Sequence, residues 1–374
     1  MNIILAPDSF KGSLTALEAA ETMREAILDV NESHHVIMKP MADGGEGTLD
    51  VMLASAEGKR VTVSCTGPLG EKIQTSYGIL ESKQAVIELA SIAGLTQVPI
   101  SKRDPDHTTT LGVGEVIRDA INRNCTSIVI GLGGSATNDG GLGMLIALGM
   151  KAWDEKGNLL TGFGKDLQQV RKLSFKEMDP RLHGIDIKVA SDVDNPLCGS
   201  RGASYVFGPQ KGASPTQVSQ YDKALSHYAH LIETTVNKSW RGVPGSGAAG
   251  GVGFALLAIG ADLVSGANLL ASTLLLEEDI KQADLVITGE GQSDVQTLYG
   301  KAPGHVAFLA NKYDIPVVLI SGSLGGELDR LRERFSGCFS IINKPITLGE
   351  CISQAKTLLY EQTKQIIHFA ESLY

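Results

Sequence analysis

The sequence predicts an α/β protein of two domains, on three observations. A short apolar, β-branched run that ends in a Gly- or Asp-bearing loop and gives way to an amphipathic helical pattern recurs along the chain, as in a largely parallel sheet. The recurrence is interrupted once, between Arg60 and Ala90, by short runs spaced like an antiparallel meander. The length, 374 residues, exceeds the roughly 100–200 residues of one ordinary domain.

The elements follow in order. Ile3 to Ala6 leads into PDSFKGS, and a helix follows: Thr15 and Glu18 have the spacing of a capping box, after which Leu17, Ala20, Met23, Ala26 and Ile27 recur at helical period. Val36 to Met38 leads into KPMADGGEGT. Val61 to Val63, Ile73 to Tyr77 and Ala85 to Ile87, separated by GPLGE and ESK turns, make the meander. Ser127 to Ile130 then leads into GLGGSATNDGG, Ile185 to Ala190 into SDVDNPLCGS, Leu285 to Ile287 into TGEGQSD, and Val317 to Ile320 into SGSLGG. Amphipathic patterns over 327–335 and 350–374 close the chain. A boundary near residue 58, and α/β spacing that resumes at Ala283, predict a flavodoxin-like domain of residues 1–58 plus 284–374. A second α/β domain, residues 59–283, is inserted in it. An insertion of this kind favours a cleft at the junction, where the active site is expected.

Composition narrows the function. Apolar residues are 43% and charged residues 20%, an ordinary globular balance. The 43 glycines, against 5% aromatics, suit close backbone approaches and ligand-facing turns. Net charge is −9 with no Lys/Arg run, which argues against a nucleic-acid partner. Local cations can still make a pocket for an anionic substrate. Cys65, Cys125, Cys198, Cys338 and Cys351 are scattered and form no C-x-x-C pair, so they read as reduced cytosolic thiols with no zinc site. The histidines show no metal spacing, and His34 and His35, just before a strand, read as solvent-facing. The opening MNIILAPDSF does not read as a signal peptide. The longest apolar stretch, Val252 to Ala261, is far short of the ~20 residues of a membrane helix. A cytoplasmic protein is expected, either a monomer or a homodimer.

Ligands of open parallel sheets sit beyond the carboxyl ends of the strands. Those ends carry Asp8, Asp43, Glu46, Asp139, Asp192, Asp194, Glu290 and Asp294. One such acid is an ordinary cap or turn former. Six loops with acids or clustered glycines suit a phosphotransferase, in which carboxylates hold a metal, glycine N–H groups meet phosphate and a base takes the hydroxyl proton. The Gly131–Gly141 segment opens a helix pattern and can make an anion site, or simply pack strand against helix. The Pro244–Gly260 segment is a second glycine cradle with the same two readings. Gly131, Gly133 and Ala136, with Asp154 some twenty residues on, also mimic a dinucleotide fingerprint. Lys11, Arg201, Lys211 and Lys301 are the cations in Gly-flanked loops. The chain has no G-x-x-x-x-G-K-[ST], no protein-kinase motif set and no G-x-S-x-G.

Seven segments taken together resemble the type-1 glycerate kinase family: APDSFKGSLTA (6–16), PMADGGEGT (40–48), GLGGSATNDGGLG (131–143), ASDVDNPLCG (190–199), VFGPQKGAS (206–214), GSGAAGGVG (245–253) and ITGEGQSDVQTLYGK (287–301). The resemblance covers nearly the whole chain. It implies ATP-dependent phosphorylation of D-glycerate to 2-phosphoglycerate, by a flavodoxin-like domain and a second domain with an endonuclease-like mixed sheet. Substrate binding is then expected at Ser9, Lys11, Asp43, Gly44, Gly45, Glu46, Asp294 and Lys301. ATP phosphates are expected at Gly133, Gly134, Ser135, Thr137, Asn138, Gly247, Gly250 and Gly251, and Mg²⁺ at Asp192 and Asp194. Asp192, with Asp8 as second choice, is the expected general base, and Lys11 the cation that assists catalysis. Gln292 departs from the family, which usually has Arg there. Two other readings stand beside this one: an NAD(P)-dependent dehydrogenase of a small hydroxy acid, on the 131–136 fingerprint, and a non-catalytic nucleotide-binding protein, which would not need so many strand-end acids.

Overall fold

Strands buried on both faces hold the centre of each sheet, as the β-branched runs require. The computed structural model describes residues 1–42, 44–45 and 47–372. In chain order its strands are β1 (Asn2–Leu5), β2 (His35–Met38), β3 (Gly58–Thr66), β4 (Lys72–Leu80), β5 (Gln84–Glu88), β6 (Ser127–Gly131), β7 (Lys151–Trp153), β8 (Lys172–Ser174), β9 (Asp186–Ala190), β10 (Asp262–Val264), β11 (Leu285–Ser293), β12 (Val317–Leu324) and β13 (Gly337–Ser340). The chain divides into two units: Met1–Asp43, Asp50–Ser55 and Ser265–Tyr374 form the first, and Gly44–Leu49 with Ala56–Val264 the second.

The first unit is a parallel sheet in the order β13-β12-β11-β1-β2. Numbered within the unit this is 2-1-3-4-5, the flavodoxin-type order, in which ligands bind where the winding reverses, between the first and third strands. Here those are β1 and β11. Ile3, Leu5, Leu285, Ile287, Val318 and Ile320 face one way. They meet Met23 and Ile27 of the helix Ala16–Val30, and Leu359 and Ile367 of the helix Ala355–Glu371. The intervening Ile4, Val286 and Leu319 are also buried. The capping box at the first helix forms, with Thr15 Oγ1 accepting from Glu18 N–H and Glu18 accepting from Thr15 N–H. The helices Gly266–Thr273 and Leu276–Ile280 pack with the helix Ala302–Lys312. Lys39 ties them to the end of β2 by donating to Leu274 O and pairing with Asp279, each at 2.7 Å. Residues 265–283, grouped by their sequence pattern with the inserted domain, therefore pack in the first unit.

The second unit is a mixed sheet in the order β10-β9-β6-β5-β4-β3, parallel from β10 to β5 and antiparallel from β5 to β3. Its antiparallel part is the meander expected over 60–90. Ile87, Ile128, Ile130, Ile187 and Val189 form its core with Val116 and Ile117 of the helix Leu111–Asn122 and with Tyr221, Leu225 and Ile232 of the helix Pro215–Val236. Strands β7 and β8 make a separate antiparallel pair. No helix among the described residues is long and apolar enough to cross a membrane. His34 corrects its expected exposure: it is buried, with Nδ1 3.2 Å from the amino terminus and Nε2 3.2 Å from Glu371 Oε1. His35, the first residue of β2, is exposed.

Candidate functional site

Backbone pairing fixes the loop after β1. Ala6 N–H donates to Ile287 O and Asp8 N–H to Gly289 O, each at 2.8 Å, so the chain stays beside β11 after the strand ends. Phe10, 1% exposed, enters the core of the first unit. Its N–H donates to Leu14 O, and Leu14 N–H donates back, across a turn with Gly12 at φ 83°. Replacing such a buried Phe by Ala costs about 3–5 kcal/mol, so the loop is held firmly. Asp8, Ser9 and Lys11 are thereby presented at the β1/β11 reversal point. Asp8 is buried and accepts from Ser9 N–H at 2.6 Å.

These three residues line a cavity of about 690 Å³. Ser13, Glu290, Gln292, Asp294, Lys301 and Ser323 continue its polar lining, and Ile341, Ile342, Ile346, Leu348, Cys351 and Ile352 form an apolar part. Asp294 caps the turn Val295–Leu298 by accepting from Gln296 N–H at 2.8 Å. Lys301 stands at the N-cap of the helix Ala302–Lys312, with Nζ 3.1 Å from Glu290 Oε2. Glu290 also accepts at Oε1 from Ser293 Oγ at 2.9 Å and from Thr297 Oγ1 at 2.6 Å. It was visible in the sequence only as one strand-end acid among eight, and its partners come from β11, a turn and a helix cap that no local pattern links.

The second unit collects the glycine-rich loops. Asp43 and Glu46 lie outside the described residues. Gly44 and Gly45 lie against the ends of β9 and β6: a Cβ on Gly44 would stand 2.7 Å from Ala190 Cβ, and one on Gly133 would stand 2.7 Å from Gly45 Cα. Gly250, at φ 71°, packs on the other glycine segment, where a Cβ would be 2.1 Å from Thr137 O. Gly247 likewise meets Pro196 O, and Gly251 meets Gly140 Cα. Close approach of a neighbouring backbone therefore requires the missing Cβ at Gly133, Gly247, Gly250 and Gly251, whatever their N–H groups face.

The helix after Gly141 is also shorter than its pattern, spanning Leu142–Ala147. The fully buried Asp139 carboxylate serves its start, accepting from Thr110 N–H and Oγ1 at 2.8 and 2.7 Å, Gly141 N–H at 3.1 Å and Gly143 N–H at 3.3 Å. Burial pushes the Asp139 carboxyl up, and these hydrogen bonds oppose the shift. The dinucleotide fingerprint thus lacks a helix at its glycines. Its acidic member, Asp154, is engaged in its own turn, accepting from Lys156 N–H, Asn158 N–H and Asn158 Nδ2.

Side chains in the same segment keep polar capacity. Lys211, 2% exposed, donates to Ser135 Oγ at 2.8 Å and to Thr137 O at 2.6 Å. Desolvation pushes its ammonium down to about 7, and the Asp139 charge works against that shift. Thr137 Oγ1 and Asn138 Oδ1 are buried and have no hydrogen-bond partner among the described residues. Gly134 adopts φ 71° and its carbonyl accepts from Leu95 N–H at 2.8 Å. Lys211 was legible as a lysine in a Gly-flanked loop, but the usual solvent exposure of lysine hid its burial. After β9, Asp192 and Asp194 are exposed, and Asp194 Oδ2 accepts from Arg201 at 2.8 Å. No group of three or more His, Cys, Asp or Glu among the described residues is placed to hold a metal. Mg²⁺ bound through one or two carboxylates and phosphate oxygens does not need such a group.

The sequence profile described as the Glycerate kinase family matches residues 3–371. The chain is 44% identical over 358 residues to the glycerate 2-kinase of Escherichia coli K12, covering 95% of this chain and 94% of that one. It is 41% identical over 367 residues to the glycerate kinase of Halalkalibacterium halodurans, covering 97% of each. The crystal structure of a protein assigned as glycerate kinase 2 from Salmonella typhimurium LT2 superposes with a TM-score of 0.90 at 41% identity, covering 100% of this chain and 98% of that one.

Proposed function

This chain belongs to the glycerate kinase family, and from that premise we propose that it transfers the γ-phosphoryl group of ATP to the 2-hydroxyl of D-glycerate, giving 2-phosphoglycerate and ADP. It is an enzyme, a kinase that phosphorylates glycerate. The observation that carries the placing of the substrate is the cavity at the β1/β11 reversal point, which gathers Asp8, Ser9, Lys11, Asp294 and Lys301 in one lining. Lys11 and Lys301 supply positive charge for the glycerate carboxylate, and Ser9 and Asp294 offer hydrogen bonds to its hydroxyls.

Asp8 shares that lining with both lysines, so it is the better placed general base. Asp192, the first choice from sequence, stands on an exposed loop of the other unit, next to the Asp194–Arg201 pair. In the reaction the acceptor hydroxyl gives its proton to the Asp8 carboxylate, its oxygen forms the new bond to the γ-phosphorus, and the bond from that phosphorus to the β-γ bridging oxygen breaks as ADP leaves.

The ATP phosphates are assigned to Ser135, Thr137, Asn138 and Lys211. The support for this is a buried cation beside two buried polar atoms that have no hydrogen-bond partner among the described residues. Asp192 and Asp194 would hold Mg²⁺, which would neutralise charge on the phosphoryl oxygens. The scattered free cysteines favour a cytoplasmic setting. Purified protein with ATP and Mg²⁺ should release ADP only when D-glycerate is added, and EDTA should abolish the release. ADP release that is indifferent to glycerate would overturn the assignment.

A further inference from the structure

Lys301 occupies a position where its charge is hard to hold. It is the N-cap of the helix Ala302–Lys312, and no side chain among the described residues caps that end. The helix dipole presents positive potential there, so it opposes an ammonium group. The lysine stem is also long and flexible, and a loosely held charge is a poor receptor for a small anion. One residue counters both effects. Glu290 is 7% exposed, and its Oε2 lies 3.1 Å from Lys301 Nζ.

Glu290 is itself fixed. Ser293 Oγ and Thr297 Oγ1 donate to its Oε1 at 2.9 and 2.6 Å, and Ser293 Oγ lies 2.7 Å from Ser321 Oγ on β12. The carboxylate is thus tied to β11, β12 and the turn Val295–Leu298, and its second oxygen is directed at Lys301. A buried carboxylate held for stability alone is weak design, because desolvation offsets most of the attraction. One that anchors a half-exposed ammonium in the lining of a cavity has a second use. Gln292, two residues on and in the same lining, is uncharged and cannot replace that cation.

We infer that Glu290 is a positioning residue: it holds the Lys301 ammonium in the cavity lining so that Lys301 receives the carboxylate of the hydroxy acid. This rests on the assignment of the cavity to glycerate. Glu290→Gln keeps the size and the Oε1 acceptor but removes the charge facing Lys301. It should raise KM for glycerate about tenfold or more, leave KM for ATP within about threefold, and reduce kcat only a few-fold. Lys301→Met should show the same pattern, and the double variant should be no worse than Lys301→Met alone, because the two residues act as one unit. A wild-type KM for glycerate in Glu290→Gln, or losses that multiply in the double variant, would overturn the inference.

A second measurement does not depend on substrate. Reductive methylation followed by peptide mass spectrometry should modify Lys301 several-fold faster in Glu290→Gln than in the wild type, and equal rates would also overturn it. If the wild-type protein fails to consume glycerate, the functional assignment falls, and the methylation rates decide alone whether Glu290 anchors Lys301. Should Glu290→Gln not fold, Thr297→Val, which removes the 2.6 Å donor to Glu290, should shift KM and labelling in the same directions by smaller factors. No shift in either would count against the role.

Discussion

Lys11 is exposed at a loop that Phe10 pins to the core, and it lines the same cavity as Lys301. Lys11→Ala should lower kcat/KM for glycerate by at least about tenfold, or ~1.4 kcal/mol of transition-state stabilisation. Steady-state kinetics checks this, and unchanged values would place Lys11 on an ordinary solvated surface. Asp8→Asn and Asp192→Asn separate the two carboxylates. The first should cut kcat by about 10²–10⁴-fold with ATP affinity by calorimetry near wild type, as for a lost general base. The second should weaken Mg²⁺-dependent ATP binding instead. Lys211 carries a stability signature. Its ammonium is pushed down to about 7 from the ordinary 10.5, so between those values the unfolded chain holds more protons than the folded one. Its contribution then increasingly favours the folded state as pH rises through that window, and is flat below it. Tm measured from about pH 7 to 9.5 should lose that rising component in Lys211→Met. At this scale strand-end acids were legible because the β-branched runs end where they begin. The burial of Lys211 and the capping role of Asp139 were not, because both depend on what other segments place around them.

At the scale of elements, the two glycine segments explain each other. Gly250 needs both its left-handed backbone and the absence of a Cβ, which would stand 2.1 Å from Thr137 O. Gly250→Ala should therefore lower Tm by at least about 5 °C, from backbone strain and the clash together. Lost activity at an unchanged Tm would show instead that this glycine faces a ligand. The meander and the capping box at Thr15 were legible because each is set by residues close in sequence, and the box forms. The apolar pattern after Gly141 overstated its helix, since the helix ends with Leu148 as its C-cap and Gly149, at φ 108°, turns the chain toward β7. A glycine run that packs on another glycine run looks, in one dimension, the same as one that wraps a phosphate.

For the whole molecule, alternating strands and helices gave the α/β class. Strand order was out of reach of that pattern, because β11 enters between β1 and β12 after more than 240 residues of intervening chain. That entry creates the reversal point beside which Asp8, Lys11, Glu290 and Lys301 line one cavity, a grouping that strand-end motifs alone did not show. Transfer of phosphate to the 2-hydroxyl of glycerate is tested by ³¹P NMR of the product formed from D-glycerate, ATP and Mg²⁺. A single new phosphomonoester resonance that grows with added authentic 2-phosphoglycerate, alongside ADP, is the predicted result. A main resonance that grows instead with 3-phosphoglycerate, or no glycerate-dependent phosphomonoester, would contradict it.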